Sequence, residues 1–559
     1  MGQELSRRDF LKGGSLVATG IAGGAVLSAC SGGAADEEKN TAANGDWLPP
    51  TWDYECDFLV IGYGGAGLWA ALTAVDESDA EVLCLEKAPV RGGGNTSINM
   101  GEFCFTEDIE GCVTYIRNFS KGIVPEEIAR AYATEASRNL EYALKWGTNS
   151  TELEGSQASG FRFTSEYPDL DTAKAMKIAR LSDSGNGPDG WIILDKARAD
   201  LGIEVVFDCH DEELIQNPET REIVGCYTLM GNDSKKYAVK ARKGTLLSTG
   251  GFEFNEDMHS RYLKVYPARG FYGWPFNEGD GHQMAMKVGA QLRNMTEMVG
   301  YISANFPNNP YKYSPMLSVP VPNYLYVNRL GERFMTETFF NPHNGWHRVT
   351  RFNDDICDFE EIPVWVIFDK TGIEAGPLGP QAQSDKMNMW LDGLPEECGA
   401  WGGWSLDNMA EVEKGWIKTG NTLEELVADM ADSAAFIDDK IDVEKLKASI
   451  ERYNSFCAAG EDTDFGRVPE TLQAVNNPPY YAYALYPGLC TTLGGPKKNE
   501  FAQVLDGADT VIPRLYCAGS ISNFQAHTYG LSGGGNAENM VWGRIAARHA
   551  CALEPWDAQ

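Results

Sequence analysis

Short apolar runs that stop at a glycine recur along the chain. "FLVIG" (58–62), "TLLSTGG" (245–251) and "LYCAG" (515–519) each predict a buried strand ended by a turn. The first leads into "GLWAALTA" (67–74), a helical pattern, and then into "AEVLCLEK" (80–87), a second strand. In the middle of the chain, "DFEEIPVWVIFD" (358–369) predicts a core strand. "TLEELVADM" (422–430) and "DVEKLKASIERYNSF" (442–456) predict amphipathic helices. Between 300 and 328 the aromatics Tyr301, Phe306, Tyr311, Tyr313, Tyr324 and Tyr326 are interleaved with prolines, which predicts a shaped loop. Its tyrosines suit either an apolar pocket wall with hydroxyl tips or a loop packed on its own domain. Near the C-terminus "GLSGGGN" (530–536) opens into another helix. A helix start without bulky side chains offers unpaired N–H groups and a partial positive charge.

The strand–turn–helix at 58–74 carries Gly62-x-Gly64-x-x-Gly67. The first glycine permits the turn, the second lets backbone approach a pyrophosphate, and the third lets helix and strand pack closely. Glu86 ends the next strand, about twenty residues on, where a carboxylate accepts ribose hydroxyls. The pattern therefore predicts a dinucleotide site.

Composition narrows the field. The 559 residues exceed one ordinary core, so two domains are expected. A net charge of −33 argues against nucleic acid as a partner. Thirteen cysteines include no C-x-x-C pair, so no metal is expected and most read as buried thiols. "SRRDFLKGG" (6–14) and the apolar run at 15–27 form a twin-arginine type of signal. The run is too short for a comfortable membrane span. "LSAC" (27–30) resembles a lipoprotein processing site at Cys30, the alternative being an ordinary cleaved signal peptide; residues 31–50 read as a flexible tether. The expected location is the outer face of the cytoplasmic membrane, through a lipid anchor at Cys30.

Further motifs, "GGGNTS" (92–97), "STGGF" (248–252), "GDGHQMAMKVGA" (279–290), "VNRLGERFMTE" (327–337), "TLGG" (492–495) and "YCAGS" (516–520), follow in order. Together they resemble the flavoprotein superfamily of fumarate reductases, succinate dehydrogenases and 3-ketosteroid dehydrogenases. The resemblance implies an α/β fold: a Rossmann-like, glutathione-reductase-like FAD domain at 51–275 and 485–559, with an inserted α+β substrate-binding cap at 276–484. It implies non-covalent FAD. Gly62, Gly64, Gly65, Ala66 and Gly67 would hold the pyrophosphate, and Glu86 and Lys87 the ribose. Gly93, Gly94, Asn95, Thr96 and Ser97 would line the pyrophosphate and flavin edge. Gly250, Asp280, Ala518, Gly519, Ser520 and Gly534 would complete the site.

At the substrate end the chain departs from fumarate reductases, which grip a dicarboxylate with paired histidines and arginines. Their slots are filled here by Tyr301, Asn341, Thr491 and Gly530. Without guanidinium clamps a dicarboxylate has no counter-charge. The spacing of Thr528, Tyr529, Gly533 and Arg544 instead resembles 3-ketosteroid dehydrogenases, in which the tyrosine hydroxyl and the glycine N–H polarise a ketone oxygen. Tyr529 and Gly533 are thus the expected oxyanion site. Tyr301, or a residue of the 339–348 loop, is expected to handle the proton. Asn341, His343, Tyr324 and Thr491 are candidate substrate contacts, while His343, His347 and Arg348 either turn inward or lie on a surface loop.

These readings give an FAD-dependent ene-reductase for a carbon–carbon double bond conjugated to a carbonyl, with a bulky neutral enone as substrate and an external electron donor. The alternatives are a reductase of a urocanate- or cinnamate-like enoate, with Arg348 as clamp, and a flavin electron-carrier lipoprotein.

Overall fold

In the computed structural model, the run from Tyr54 to Ile61 forms β1, a central strand in the parallel part of a mixed sheet. The structure describes residues 47–153, 165–184, 187–231, 235–338, 343–380, 394–398, 402–431 and 441–558. The twin-arginine segment, Cys30, the greater part of the tether and Asn341 lie outside them. β1 turns at Gly62 (φ 96°) into α1, Gly65–Glu77, and the chain returns as β2, Val82–Leu85, parallel to β1. β3, Glu204–Val206, extends this edge beyond β2. β4 (Cys209–Gln216) and β5 (Ile223–Met230) form an antiparallel pair that joins the start of β6, Tyr237–Leu247. β6 is parallel to β1 on its other side. Phe58, Val60 and Leu246 point into one core layer with α1; Leu59, Ile61 and Leu247 fill the opposite one. Burial on both faces explains why these strands read as continuous apolar runs.

A second sheet takes its strands from residues 269–492. α2, Asp280–Lys287, leads towards it. β7 (Met298–Ala304), β8 (Tyr324–Val327) and β9 (Val364–Asp369) are organised around the long β10, Tyr480–Thr492. The first half of β10 pairs with β9 and its second half with β7; β8 pairs with the far side of β9. The predicted loop at 300–328 is therefore a loop only in its middle. Tyr301, Tyr324 and Tyr326 sit on strands, because the prolines begin only at Pro307 and the flanking backbone finds ladder partners. The expected strand at 358–369 likewise starts at Val364, immediately after Pro363. α3 (Leu423–Met430) is capped by Thr422, and α4 (Val443–Ala459) by Asp442 and, at its end, by the left-handed Gly460.

The chain then returns to the first sheet. β11 (Gln503–Leu505) and β12 (Val511–Cys517) add to the free side of β6, and α5, Gly534–Cys551, packs against α1. Residues 48–559 form one compact unit. Among the described residues no helix is long and apolar enough to cross a membrane.

Asp369, fully buried at the end of β9, is a junction for this arrangement. Its carboxylate accepts from Asn323 Nδ2 (2.6 Å) and from the N–H groups of Thr371 (2.8 Å), Asn476 (2.8 Å) and Asn477 (2.9 Å). Asp369→Ala would strand these donors and is expected to cost about 3 kcal/mol or more, since each orphaned buried donor costs roughly 1–3 kcal/mol. Urea denaturation of the variant against the parent checks this.

Candidate active site

A cleft of about 700 Å³, counting the part open to solvent, runs along the ends of β1, β2 and β6. It is lined by the sequence-predicted Gly62, Gly64, Gly65, Ala66, Glu86, Lys87, Gly94, Asn95, Thr96, Gly250, Asp280, Gly519 and Ser520. Thus strand ends far apart in sequence converge, as a switch point in a parallel sheet requires. Other predicted residues act behind the wall. A Cβ on Gly67 would lie 2.3 Å from the Gly62 carbonyl oxygen, so this glycine permits the close helix–strand contact. Gly93 bridges to Gly64, and the buried Ser97 hydroxyl donates to the Gly94 carbonyl (3.1 Å). Ala518 donates to Leu247 at the strand ends (3.1 Å), and Gly534 donates to Leu531 (2.8 Å) in the turn before α5.

The lining fits a dinucleotide. α1 starts at Gly64 with no side-chain cap and no acidic residue in its first turn, which leaves its N–H groups for a diphosphate. Gly64 and Gly94 face each other so closely that a Cβ on Gly94 would stand 3.2 Å from the Gly64 Cα. Glu86 is buried and accepts from the N–H groups of Tyr63 and Ala88, both at 2.9 Å. Each carboxylate oxygen keeps acceptor capacity for a ribose hydroxyl. The Thr249 hydroxyl is buried at the cleft without a hydrogen-bond partner among the described residues. Lys87, expected on the ribose, lines the cleft with its ammonium between Glu278 (2.6 Å) and Asp280 (2.8 Å). Sequence reasoning missed Thr249, Trp274, Asn277 and Asn539. Trp274 and Asn277 bind Asn95, and Asn539 Nδ2 donates to Thr96 (3.1 Å). Thr249 is the threonine of the "TGG" turn, and that place was its one visible signal.

At the start of α5, Tyr529 is buried against Val299, Cys490 and Leu493. Its hydroxyl accepts from the Gly535 N–H at 3.0 Å. The sequence reading aims the Tyr529 hydroxyl and the Gly533 N–H at one substrate oxygen; in the structure the hydroxyl rests on the N–H of Gly535, two residues beyond Gly533. Gly533 is the left-handed N-cap (φ 68°), and a Cβ there would lie 3.0 Å from Phe103 backbone. Burial and the charge of Glu166 raise the Tyr529 hydroxyl above the ordinary phenol range, so it stays protonated.

Of the remaining candidates, His343 packs edge-on against the Tyr529 ring at 5.1 Å between centroids. Its Nδ1 is 2.7 Å from Glu166, a buried carboxylate that also accepts from the Ser532 hydroxyl (2.6 Å). Glu166 carries no sequence motif and was not anticipated. Thr491 pairs across the sheet with Val299. Tyr301 and Tyr324 lie half-buried against the apolar core of the second sheet, where burial and the nearby Tyr324 push the Tyr301 hydroxyl up to about 12. Arg348 is exposed. A side chain at Gly530 would run into the Phe119 ring at 2.6 Å.

Comparison with known proteins identifies the family and the fold. The FAD binding domain family model matches residues 57–536. Digoxin reductase of Eggerthella lenta is 25% identical over 99% of this chain and 98% of its own. The 3-oxosteroid 1-dehydrogenase of Mycolicibacterium smegmatis is 24% identical over 88% and 96%, and the urocanate reductase of Eggerthella lenta 24% identical over 89% and 75%. In fold, the chain is similar to the 3-ketosteroid Δ1-dehydrogenase of Sterolibacterium denitrificans (TM-score 0.70, 21% identity, 89% of this chain and 99% of that one).

Two predictions follow from the cleft and the helix start. Burial raises the Glu86 carboxyl to about 7. Between the ordinary glutamate range and pH 7 the folded state therefore holds a proton that the unfolded chain has released. This contribution is complete at low pH and is lost as pH rises through about 7. Glu86→Gln is expected to flatten the fall in stability of the flavin-free protein between pH 5 and 8, read by chemical denaturation. Gly530→Ala is expected to cost about 1–3 kcal/mol by forcing Phe119 aside, read as a lower melting temperature. The chain belongs to the FAD binding domain family and is an FAD-dependent oxidoreductase.

Proposed function

We propose that this protein reduces a carbon–carbon double bond conjugated to the carbonyl of a bulky neutral molecule, such as a 3-ketosteroid or an unsaturated lactone. The observation that carries the reading is the seat of Tyr529: a buried, protonated phenol whose oxygen is held by the Gly535 N–H at an otherwise uncapped helix start. Such a hydroxyl donates outward to a substrate oxygen. Negative charge that develops there during reaction meets a preset donor and the positive end of α5. FAD, when bound, supplies hydride chemistry; the residues of this chain bind the carbonyl, orient it and exclude water.

Charge at the site favours a neutral substrate. Position 530 has no room for the arginine of a fumarate reductase, and Arg348, the clamp required by the enoate alternative, faces solvent. His343, the basic side chain packed on Tyr529, is matched by Glu166, so the pair presents no net charge to a carboxylate. Relatives named for digoxin and 3-oxosteroids support the neutral class, and the one named for urocanate keeps the enoate alternative as an outcome of the test. We also propose export by the twin-arginine route, anchoring at Cys30 and an external electron donor at the membrane.

Anaerobic titration of the reduced flavoprotein against steroid enones, unsaturated lactones, urocanate and cinnamate tests the substrate class. Reoxidation by enones or lactones and not by the carboxylates is expected; reoxidation by carboxylates alone would overturn the reading. Tyr529→Phe is expected to lower kcat by about a hundredfold or more with FAD retained, measured by stopped-flow flavin absorbance. For export, loss of membrane association in Cys30→Ala, read by fractionation, is the expected result.

A further inference from the structure

We propose that His343, held by Glu166, is the acid that protonates the substrate carbon next to the carbonyl. The inference rests on the ene-reductase reading above and names the group that reading leaves open.

The geometry supplies the reach. An α carbon lies about 2.4 Å from its carbonyl oxygen, so a donor to that carbon has to stand beside the group that grips the oxygen. His343 does: its ring meets the Tyr529 ring edge-on at 5.1 Å between centroids. Tyr301, the sequence candidate for this role, lies half-buried on β7 against the apolar core of the second sheet, near Tyr324 and Tyr326.

Several contacts fix the histidine. Its carbonyl accepts from the Gly300 N–H on β7 (2.8 Å). The next residue, Asn344, donates to the Tyr529 carbonyl (2.9 Å) and accepts from the Thr528 hydroxyl (3.2 Å) and the Tyr529 N–H (3.3 Å). One asparagine thus locks the histidine backbone to the tyrosine backbone. Nδ1 faces Glu166 Oε1, which sets the ring orientation and makes the proton on Nε2 the one this proposal transfers. Glu166 is itself tied down by the Ser532 hydroxyl and by its own N–H to the Gly530 carbonyl (3.3 Å).

Charge supplies the protonation state. Burial works against a charged imidazole here, but Glu166 overrides it, with Glu102 adding to the effect, and the net direction is upward. The groups around the pair are Glu166, Glu102 with its partner Arg180 (2.9 Å), and the phenols of Tyr529, Tyr115 and Tyr167. His343 is 29% exposed at its side chain, enough to recover a proton from solvent.

The step balances. Reduced FAD, when bound, would supply a hydride, and with it both electrons, to the β carbon. The π pair of the double bond forms the new α C–H bond with the Nε2 proton. The N–H electron pair stays on the imidazole, which becomes neutral against Glu166. Glu166 is a positioning residue and does not touch substrate.

The test uses the flavin-loaded protein and its His343→Gln, Glu166→Gln and Ser532→Ala variants. Proton NMR of histidine-labelled protein, without substrate, follows the His343 titration. Glu166→Gln is expected to lower its midpoint by about one pH unit. With a steroid enone, His343→Gln is expected to lower kcat by about a hundredfold with KM within threefold. The basic limb of the Glu166→Gln rate profile is expected to move by the same interval as the NMR midpoint. Ser532→Ala is expected to shift both in the same sense by less. Melting temperature and bound FAD control for folding. Turnover of His343→Gln within threefold of the parent, or an NMR midpoint unmoved by Glu166→Gln, overturns the inference while the ene-reductase reading stands. Parent protein that no enone or lactone reoxidises overturns that reading, and the inference with it.

Discussion

The close crossing of α1 and α5 is the contact on which both halves of the site depend. At Gly543 a Cβ would lie 2.7 Å from the Ala66 carbonyl oxygen and 3.2 Å from the Ala70 nitrogen, so the helices approach to backbone contact. At this crossing point glycine alone allows the spacing. The approach carries the start of α5 up to the loop that follows β2. There Asn536 and Asn539 bond Thr96 and Asn99, and Asn536 donates to the Glu102 carbonyl (2.8 Å). The flavin-side loop and the Tyr529 seat are therefore set by the same pair of helices. A change in their separation would move the substrate oxygen relative to the cofactor.

The electrostatics of the cleft follow from backbone more than from side chains. The chain is strongly acidic, and the one cationic residue among the described residues lining the cleft, Lys87, is held by Glu278 and Asp280. A diphosphate is therefore met by N–H groups at the uncapped start of α1 and by the glycine turns around it. The same device serves the substrate end, where an N–H at the start of α5 holds the tyrosine hydroxyl. In both places a partial charge fixed in the fold replaces a full charge on a flexible side chain. Such a charge needs no reorganisation when the ligand arrives or when its charge changes.

The loss of arginine at the substrate end is consistent with packing as well as with charge. Gly530 sits under Phe119, and its carbonyl accepts from Tyr115 (2.7 Å) and from the Glu166 N–H. The space that a clamp would need is filled by aromatic side chains from the segment before the second sheet. Around Tyr529 the walls are apolar, with Val299, Cys490 and Leu493, and the polar groups that approach it include the Gly535 N–H, the His343–Glu166 pair and Asn344.

Local pattern by itself determined the strand–glycine–helix units, the dinucleotide cleft and the mutual spacing of Tyr529 and Gly533. These depend on backbone conformation and on the burial of both sheet faces, and both leave marks within a few residues: glycine at positive φ, apolar runs, a carboxylate at a strand end. The extents of β7, β8 and β9 were less legible, because strand pairing with β10 decides where a tyrosine-rich segment stops being a loop. Only the tertiary structure decided which groups meet at Tyr529. Glu166 and His343 are far apart in sequence and belong to no periodic pattern, and each is one polar residue among many in irregular chain. Their pairing arises because the fold brings two loops over the start of one helix. A contact of that kind depends on distance in space, for which a sequence read along its length has no coordinate.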